Sequence, residues 1–272
     1  MVEWQSGYIQ SGTVRIHYQR AGSGVPLVMA HGMTDNGACW RALADPLTTM
    51  YDVVLMDARG HGLSDMDMAQ MSTYHQACDV HALLTQLHLE RPFLIGHSMG
   101  ALTALACAAY FPAMLRAVIL EDPPLETHET QPTAAQATAW TQEINTWLDS
   151  LHDLRLETLE LRCIVDHPTW QAAELWAWAQ SKQQTSSRNR WVDVSSNVQW
   201  QDLVVQLGVP ALVVVGDVEH DAIINAATAQ RARMLSPFIE IAYVRGVGHS
   251  IRREAPQAYA KLVNEFMRRH RA

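Results

Sequence analysis

The chain has 272 residues, 48 % of them apolar, and a formal net charge of −8. Such a length accommodates one large α/β domain with a sizeable core, and the acidic balance argues against a nucleic-acid partner, which calls for a basic patch. No stretch approaches the roughly 18 consecutive apolar residues of a membrane span, Met1–Gln10 lacks the basic-then-apolar pattern of a secretory signal, and Cys39, Cys78, Cys107 and Cys163 are scattered without a CxxC pair, the usage of a reduced, cytoplasmic protein with neither disulfide frame nor zinc site.

Thr13–Gln19 alternates in the manner of a half-exposed strand. Pro26–Ala30 (PLVMA), bounded by Gly24 and Gly32, is a short apolar run suited to a buried strand, and Asp52–Met56 (DVVLM) repeats it. Tyr74–Leu89 reads as a helix stopped by Arg91-Pro92. Phe93–Ile95 is a strand ending at Gly96, the Ala- and Leu-rich Ala101–Tyr110 favours helix, and Arg116–Leu120 (RAVIL) is a further strand. The rhythm breaks at Pro123-Pro124. From there to about Trp200 the composition is helical and holds seven of the nine tryptophans: Trp140, Trp147, Trp170, Trp176, Trp178, Trp191 and Trp200. Strand signals resume at Pro210–Val215 (PALVVV), followed by a helix over Asn225–Leu235, a strand over Phe238–Val244 and a helix over Pro256–Arg269. Strand alternating with helix predicts a mostly parallel α/β sheet covered on both faces. The core comprises residues 1–123 and 201–272, and a helical insertion occupies 124–200.

Gly96-His97-Ser98-Met99-Gly100 is a G-x-S-x-G sequence placed between an apolar strand and an Ala-rich helix. A sharp strand-to-helix turn there lifts the serine hydroxyl clear of the sheet, and the flanking glycines remove side chains that would collide with neighbouring backbone. Ser98 is therefore the expected nucleophile. It needs a base, and among 13 histidines His249 stands out, because Gly246-Val247-Gly248-His249 follows the last strand and so lies at the sheet edge that carries Ser98. His31-Gly32-Met33 follows the PLVMA strand, where a loop can aim an N–H at a developing oxyanion. The expected donors are the main chains of Met33 and Met99, with the His31 imidazole bracing the loop.

Together these residues resemble the α/β-hydrolase superfamily, in particular its ester and lactone hydrolases with a helical lid, over nearly the whole chain. The resemblance implies an eight-stranded sheet and a lid formed by 124–200. Asp57-Ala58-Arg59-Gly60-His61-Gly62-Leu63-Ser64 is similar to the D-x-R-G-H-G-x-S segment of these proteins, which implies a scaffolding role for Asp57, Arg59 and His61. Gly248–Glu254 is similar to their histidine loop, with Arg252 and Arg253 read as solvated positions at a helix start. The base also requires a carboxylate. In most relatives it follows the seventh strand as G-x-x-D, but Gly216-Asp217-Val218-Glu219-His220-Asp221 departs from that spacing. Leu120-Glu121-Asp122-Pro123-Pro124 offers a second place, similar to zearalenone-lactonase-like enzymes, and Glu121 is the expected acid. Asp221 is the first alternative, and Asp122, Asp217 and Glu219 remain open.

The implied activity is hydrolysis of a carboxylic ester or lactone with a small apolar or aromatic group, through an acyl-enzyme, with no metal or organic cofactor and no nucleic-acid or membrane partner. The same triad also suits hydrolytic carbon–carbon cleavage or cofactor-free perhydrolysis. A small-ligand receptor is the non-enzymatic alternative. A serine at position 98 counts against the dehalogenases and epoxide hydrolases of this fold, which use aspartate.

Overall fold

The computed structural model describes residues 2–67, 69–125, 134–151, 153–188 and 199–271, so Trp191 and the stretch of the insertion that begins at Glu126 lie outside the described residues. Eight strands, β1 (Gln5–Ser11), β2 (Val14–Gly22), β3 (Val25–Ala30), β4 (Tyr51–Met56), β5 (Phe93–His97), β6 (Ala117–Glu121), β7 (Ala211–Val215) and β8 (Ile239–Tyr243), form one sheet in the order β1-β2-β4-β3-β5-β6-β7-β8. β1 pairs antiparallel with β2, and β2 with β4; every other pairing is parallel. β1 escaped the sequence reading because it is a polar edge strand whose buried positions are only Ile9 and Ser11.

The described helices are α1 (Arg41–Leu47), α2 (Thr73–Gln86), α3 (Met99–Tyr110), α4 (Ala134–Leu151), α5 (Leu156–Asp166), α6 (Ala172–Arg188), α7 (Trp200–Val205), α8 (Ala226–Leu235), α9 (Ile251–Glu254) and α10 (Pro256–Arg269). Successive strand residues point to opposite faces of a sheet, and the two cores follow that parity. Val118 and Leu120 of β6 pack with α2, α3, α7 and α8. Ala117 and Ile119 pack with α1, α9 and α10. On α10 the apolar positions Tyr259, Val263, Phe266 and Met267 fall at helical spacing and are all buried, so one stripe of that helix seals the second face.

Between β6 and β7 the described residues are helical. α4, α5 and α6 bury a small core of Leu151, Leu159, Cys163, Trp178 and Ala179, with Trp147 and Trp170 packed against it. Trp140 and Trp176 are about half exposed, whereas Trp200 starts α7 and belongs to the main core. These tryptophans are thus mostly structural. No described helix is long and apolar enough to cross a membrane, and the four cysteines are free.

The sheet order reverses at β3, whose successor β4 lies on one side and β5 on the other. Open parallel sheets form their binding crevice at such a switch point, beyond the carboxyl ends of the strands. The segments leaving β3 and β5 there are His31–Met33 and Ser98.

Candidate active site

Ser98 has φ 53° and ψ −117°, a region that costs a non-glycine residue about 1–3 kcal/mol and persists only where the surroundings enforce it. Those surroundings are tight. The Ser98 N–H donates to Glu121 O at 2.9 Å, while a side chain at position 96 would strike the Gly100 carbonyl and one at position 100 the Ala30 carbonyl. The two glycines let β3, β5 and α3 close on one another and force the bend between them. Met99 heads α3, so its N–H has no acceptor within that helix. On the other side, Gly32 lies against Ser98: a Cβ built on it would sit 3.4 Å from Ser98 Cβ. The loop after β3 therefore flanks the serine.

That loop is a turn in which Asp35 N–H donates to Gly32 O at 3.2 Å. Thr34 has φ 64° while Met33 does not have positive φ, the pattern of a type II turn, which favours glycine at the third position. A β-branched residue there is strained. The His31 imidazole braces the same loop: Ala58 N–H donates to its Nε2 at 2.9 Å, which makes Nδ1 the protonated nitrogen and its contact with Gly32 O, at 2.7 Å, a donated bond.

His249 lies beside the elbow. Its ring is 4.6 Å from that of His97, and His97 Nε2–H donates to the His249 carbonyl at 3.0 Å. The second residue of the G-x-S-x-G motif thus holds the backbone of His249. The Ser98 hydroxyl and His249 Nε2 make no hydrogen bond with each other, and in serine hydrolases this bond commonly forms fully only in the complex with substrate.

The carboxylate on His249 is Asp122, not Glu121: Asp122 Oδ2 lies 2.5 Å from His249 Nδ1. The expected strand end is right and the residue is one position further on, for a reason of parity. Glu121 is the last residue of β6 and points to the same face as Ala117 and Ile119, under α9, where it accepts from the Arg252 N–H at 2.8 Å and its guanidinium at 3.2 Å. Burial raises its pKa against the opposing pull of Arg252. Asp122 leaves the strand with φ 41° and turns toward the histidine. Asp221, the alternative, is exposed in a surface turn. The loop after β7 contributes backbone instead: Ile223 and Ile224 N–H groups donate to Asp122 at 2.8 and 3.1 Å. Asp217 meanwhile accepts from Gly246 N–H and Arg245 at the surface, at 2.6 and 2.9 Å.

The Asp57–Ser64 segment is scaffolding, as the resemblance implied. Asp57, buried, accepts from the N–H groups of Gly37 and Leu63 at 2.7 and 2.9 Å and contacts His17 Nδ1 at 2.8 Å. Arg59 makes a buried bidentate pair with Asp79 at 2.6 and 2.7 Å.

Arg252 and Arg253 are not solvated. They belong to a buried network that sequence reasoning missed: Asp35, Glu121, Glu174, Lys182, Arg252 and Arg253 are each at most 5 % exposed. Lys182 donates to Asp35 Oδ1 at 2.9 Å, Arg253 to Asp35 Oδ2 at 3.1 Å and to Glu174 at 3.0 Å, and Arg252 approaches Asp35 Oδ2 at 3.4 Å. Arg252 stacks on Trp40 at 4.2 Å and Arg253 on Trp170 at 4.6 Å. Burial would raise the Asp35 pKa, but Arg253, Lys182 and Arg252 bring it well below the ordinary value. The network joins α6 of the insertion to the loops after β3 and β8. Charges at a helix start are usually exposed, so nothing local in the sequence marks this one.

Burial lowers the pKa values of His31, His61 and His97, that of His61 to about 3. The unfolded chain protonates these rings near the usual value of about 6.5, so below that pH it binds more protons than the native state. Stability is full above about pH 6.5 and falls as pH drops toward the folded values, with a limiting slope of about 1.4 kcal/mol per pH unit for each ring. The urea midpoint should fall steadily from pH 6.5 to pH 5; a flat profile would contradict the neutral assignment.

The family model for the α/β-hydrolase fold matches residues 25–233. Among curated proteins, the chain is 25 % identical over 271 residues to 2-(acetamidomethylene)succinate hydrolase of Mesorhizobium japonicum, covering 95 % of this chain and 94 % of the relative. It is 26 % identical over 266 residues to N-formylmaleamate deformylase of Pseudomonas putida, covering 90 % of each. Among solved structures it superposes on an E-2-(acetamidomethylene)succinate hydrolase with a TM-score of 0.78 at 21 % identity, over 97 % of this chain and 99 % of the other. An N-acyl homoserine lactone degrading enzyme gives a TM-score of 0.76 at 25 % identity, over 96 % and 100 %. With the model spanning well over half the chain, and with the eight-stranded sheet and strained Ser98 elbow in place, this protein belongs to the α/β-hydrolase family.

Proposed function

We propose that the chain is a serine hydrolase that cleaves a carboxylic ester or lactone of a small apolar substrate through an acyl-enzyme. The observation that carries this reading is the strained Ser98 elbow, whose His97 ring lies 4.6 Å from that of His249, together with the buried carboxylate 2.5 Å from His249 Nδ1. Ser98 Oγ attacks the carbonyl while His249 Nε2 takes its proton. Asp122 holds His249 in the tautomer with Nδ1–H and stabilises the imidazolium. The N–H groups of Met33 and Met99 receive the oxyanion. His249 returns the proton to the departing alcohol, then activates water to hydrolyse the acyl-Ser98 ester. The α4–α6 insertion acts as the lid over this edge, and every step uses the chain's own groups.

A second reading is hydrolysis of an N-acyl bond by the same triad, favoured by the names of the two curated relatives, one a deformylase and one a hydrolase of an acetamido compound. Stopped-flow assays on p-nitrophenyl esters of graded acyl length, each paired with its p-nitroanilide, test both. The expected result is ester turnover with a nitrophenolate burst of one equivalent per active site. Anilide turnover matching that of the ester would favour the second reading. Inertness toward esters, lactones and anilides alike would favour a ligand-binding role.

A further inference from the structure

We infer that Lys182 is a positioning residue: from the insertion helix α6 it holds the strained Thr34 turn that aims the Met33 N–H at the oxyanion. This rests on the proposed hydrolase mechanism and adds a residue to it from outside the core domain. Thr34 carries a β-branched side chain at φ 64°, a conformation it keeps only when other groups enforce it. Its carbonyl and hydroxyl both accept from Lys182 Nζ, at 2.9 Å each. Lys182 belongs to α6, where the neighbouring Thr185 hydroxyl donates within the helix to Ser181 O at 2.9 Å. The third Lys182 bond goes to Asp35, the closing residue of the same turn, at 2.9 Å. Asn36, the next residue, donates to Gln184 on α6 at 2.9 Å. One helix therefore clamps residues 34–36, directly after the Met33 peptide and within reach of Ser98 through Gly32.

The Lys182 ammonium is buried, lies 5.3 Å from the centre of the Trp178 ring, and directs its bonds into the turn. It is consumed by the loop and is not offered to a ligand. Its expected influence is on the transition state, since the oxyanion donors act where charge develops, and not on ground-state binding.

Three measurements on the full chain test the inference: kcat and KM for a p-nitrophenyl ester, and the affinity of an aryl trifluoromethyl ketone. Ser98 Oγ adds to the ketone carbon, its proton passes to His249, and the resulting hemiketal places an oxyanion between the Met33 and Met99 N–H groups. Lys182→Met is expected to lower kcat about 30-fold, leave KM within about twofold, and weaken the ketone by the same factor as kcat. Thr34→Gly added to Lys182→Met is expected to restore most of the lost kcat, because glycine adopts positive φ without the clamp. Lost kcat with unchanged ketone affinity, or no recovery in the double variant, would overturn the assignment. Should Lys182→Met not fold, Lys182→Arg keeps the charge opposite Asp35 but not the compact ammonium that bonds Thr34 O, Thr34 Oγ1 and Asp35 at 2.9 Å each; a loss of about threefold in both kcat and ketone affinity supports the inference, and unchanged values overturn it. Failure of the underlying hydrolase reading is distinct, because the wild-type chain would then neither turn over the ester nor bind the ketone.

Discussion

Asp122→Asn is expected to lower kcat for an ester substrate about 10⁴-fold, while Glu121→Gln keeps kcat within about tenfold of wild type. The two carboxylates are adjacent in sequence and both buried, so the contrast isolates geometry. Asp122 accepts from His249 Nδ1–H at 2.5 Å and is itself held by the Ile223 and Ile224 N–H groups. An asparagine amide there presents either an oxygen that cannot offset imidazolium charge or an NH2 that reverses the tautomer. The Glu121 carboxylate is held by the histidine loop's scaffold instead, accepting from the Arg252 N–H and guanidinium. Glutamine keeps an acceptor for that N–H, and burial already raises the Glu121 pKa, so the neutral side chain is tolerated. Steady-state kinetics of the two variants at pH 8 checks this. Equal losses in both would mean that the β6 end acts as a unit and would remove the assignment to Asp122.

The second large effect is on stability. Asp35→Ala is expected to destabilise the fold by about 3–5 kcal/mol, because removing one partner leaves buried opposite charges uncompensated. Asp35 is the shared counter-ion of Lys182, Arg252 and Arg253, at 2.9, 3.4 and 3.1 Å, and all four residues are buried. For a chain of this size the shift corresponds to a melting temperature lower by roughly 10 °C. Asp67→Ala, at a surface carboxylate bonded to Thr13 at 2.8 Å, is expected to leave the midpoint close to that of wild type and serves as the comparison. Differential scanning fluorimetry at pH 7.5 followed by urea titration gives both values. A loss in Asp35→Ala no larger than in Asp67→Ala would show that the cluster is not a buried network in solution.

Ser98, His249 and the β3–β4–β5–β6–β7 pattern were legible because each is written in local context: apolar runs, an Ala-rich helix after a glycine-flanked serine, and a glycine-histidine loop after the last strand. The carboxylate that meets His249 lies one residue beyond the expected Glu121. Choosing between Glu121 and Asp122 depends on which face the final β6 residue takes and on the 41° φ at Asp122, and neither is encoded in residue type. The reading of Arg252 and Arg253 as solvated failed for a different reason. Their burial is imposed by α6, which returns over the sheet edge about 70 residues upstream in the chain (Glu174 pairs with Arg253 at 3.0 Å). The helix α1 was also invisible, because Pro46 sits inside it and proline weakens any helical signal. The contribution of Lys182 could have been found from sequence only by knowing that Thr34 is held at positive φ.

The proposed catalysis depends on Ser98 being a nucleophile activated by His249. Incubation with a fluorophosphonate followed by peptide mass spectrometry tests that directly. The expected result is one phosphonyl adduct per chain on the peptide containing Gly96-His97-Ser98-Met99-Gly100, absent in Ser98→Ala and slowed at least about 10³-fold in His249→Ala. An unmodified Ser98 in the folded wild-type chain, or labelling that proceeds at the same rate without His249, would contradict it.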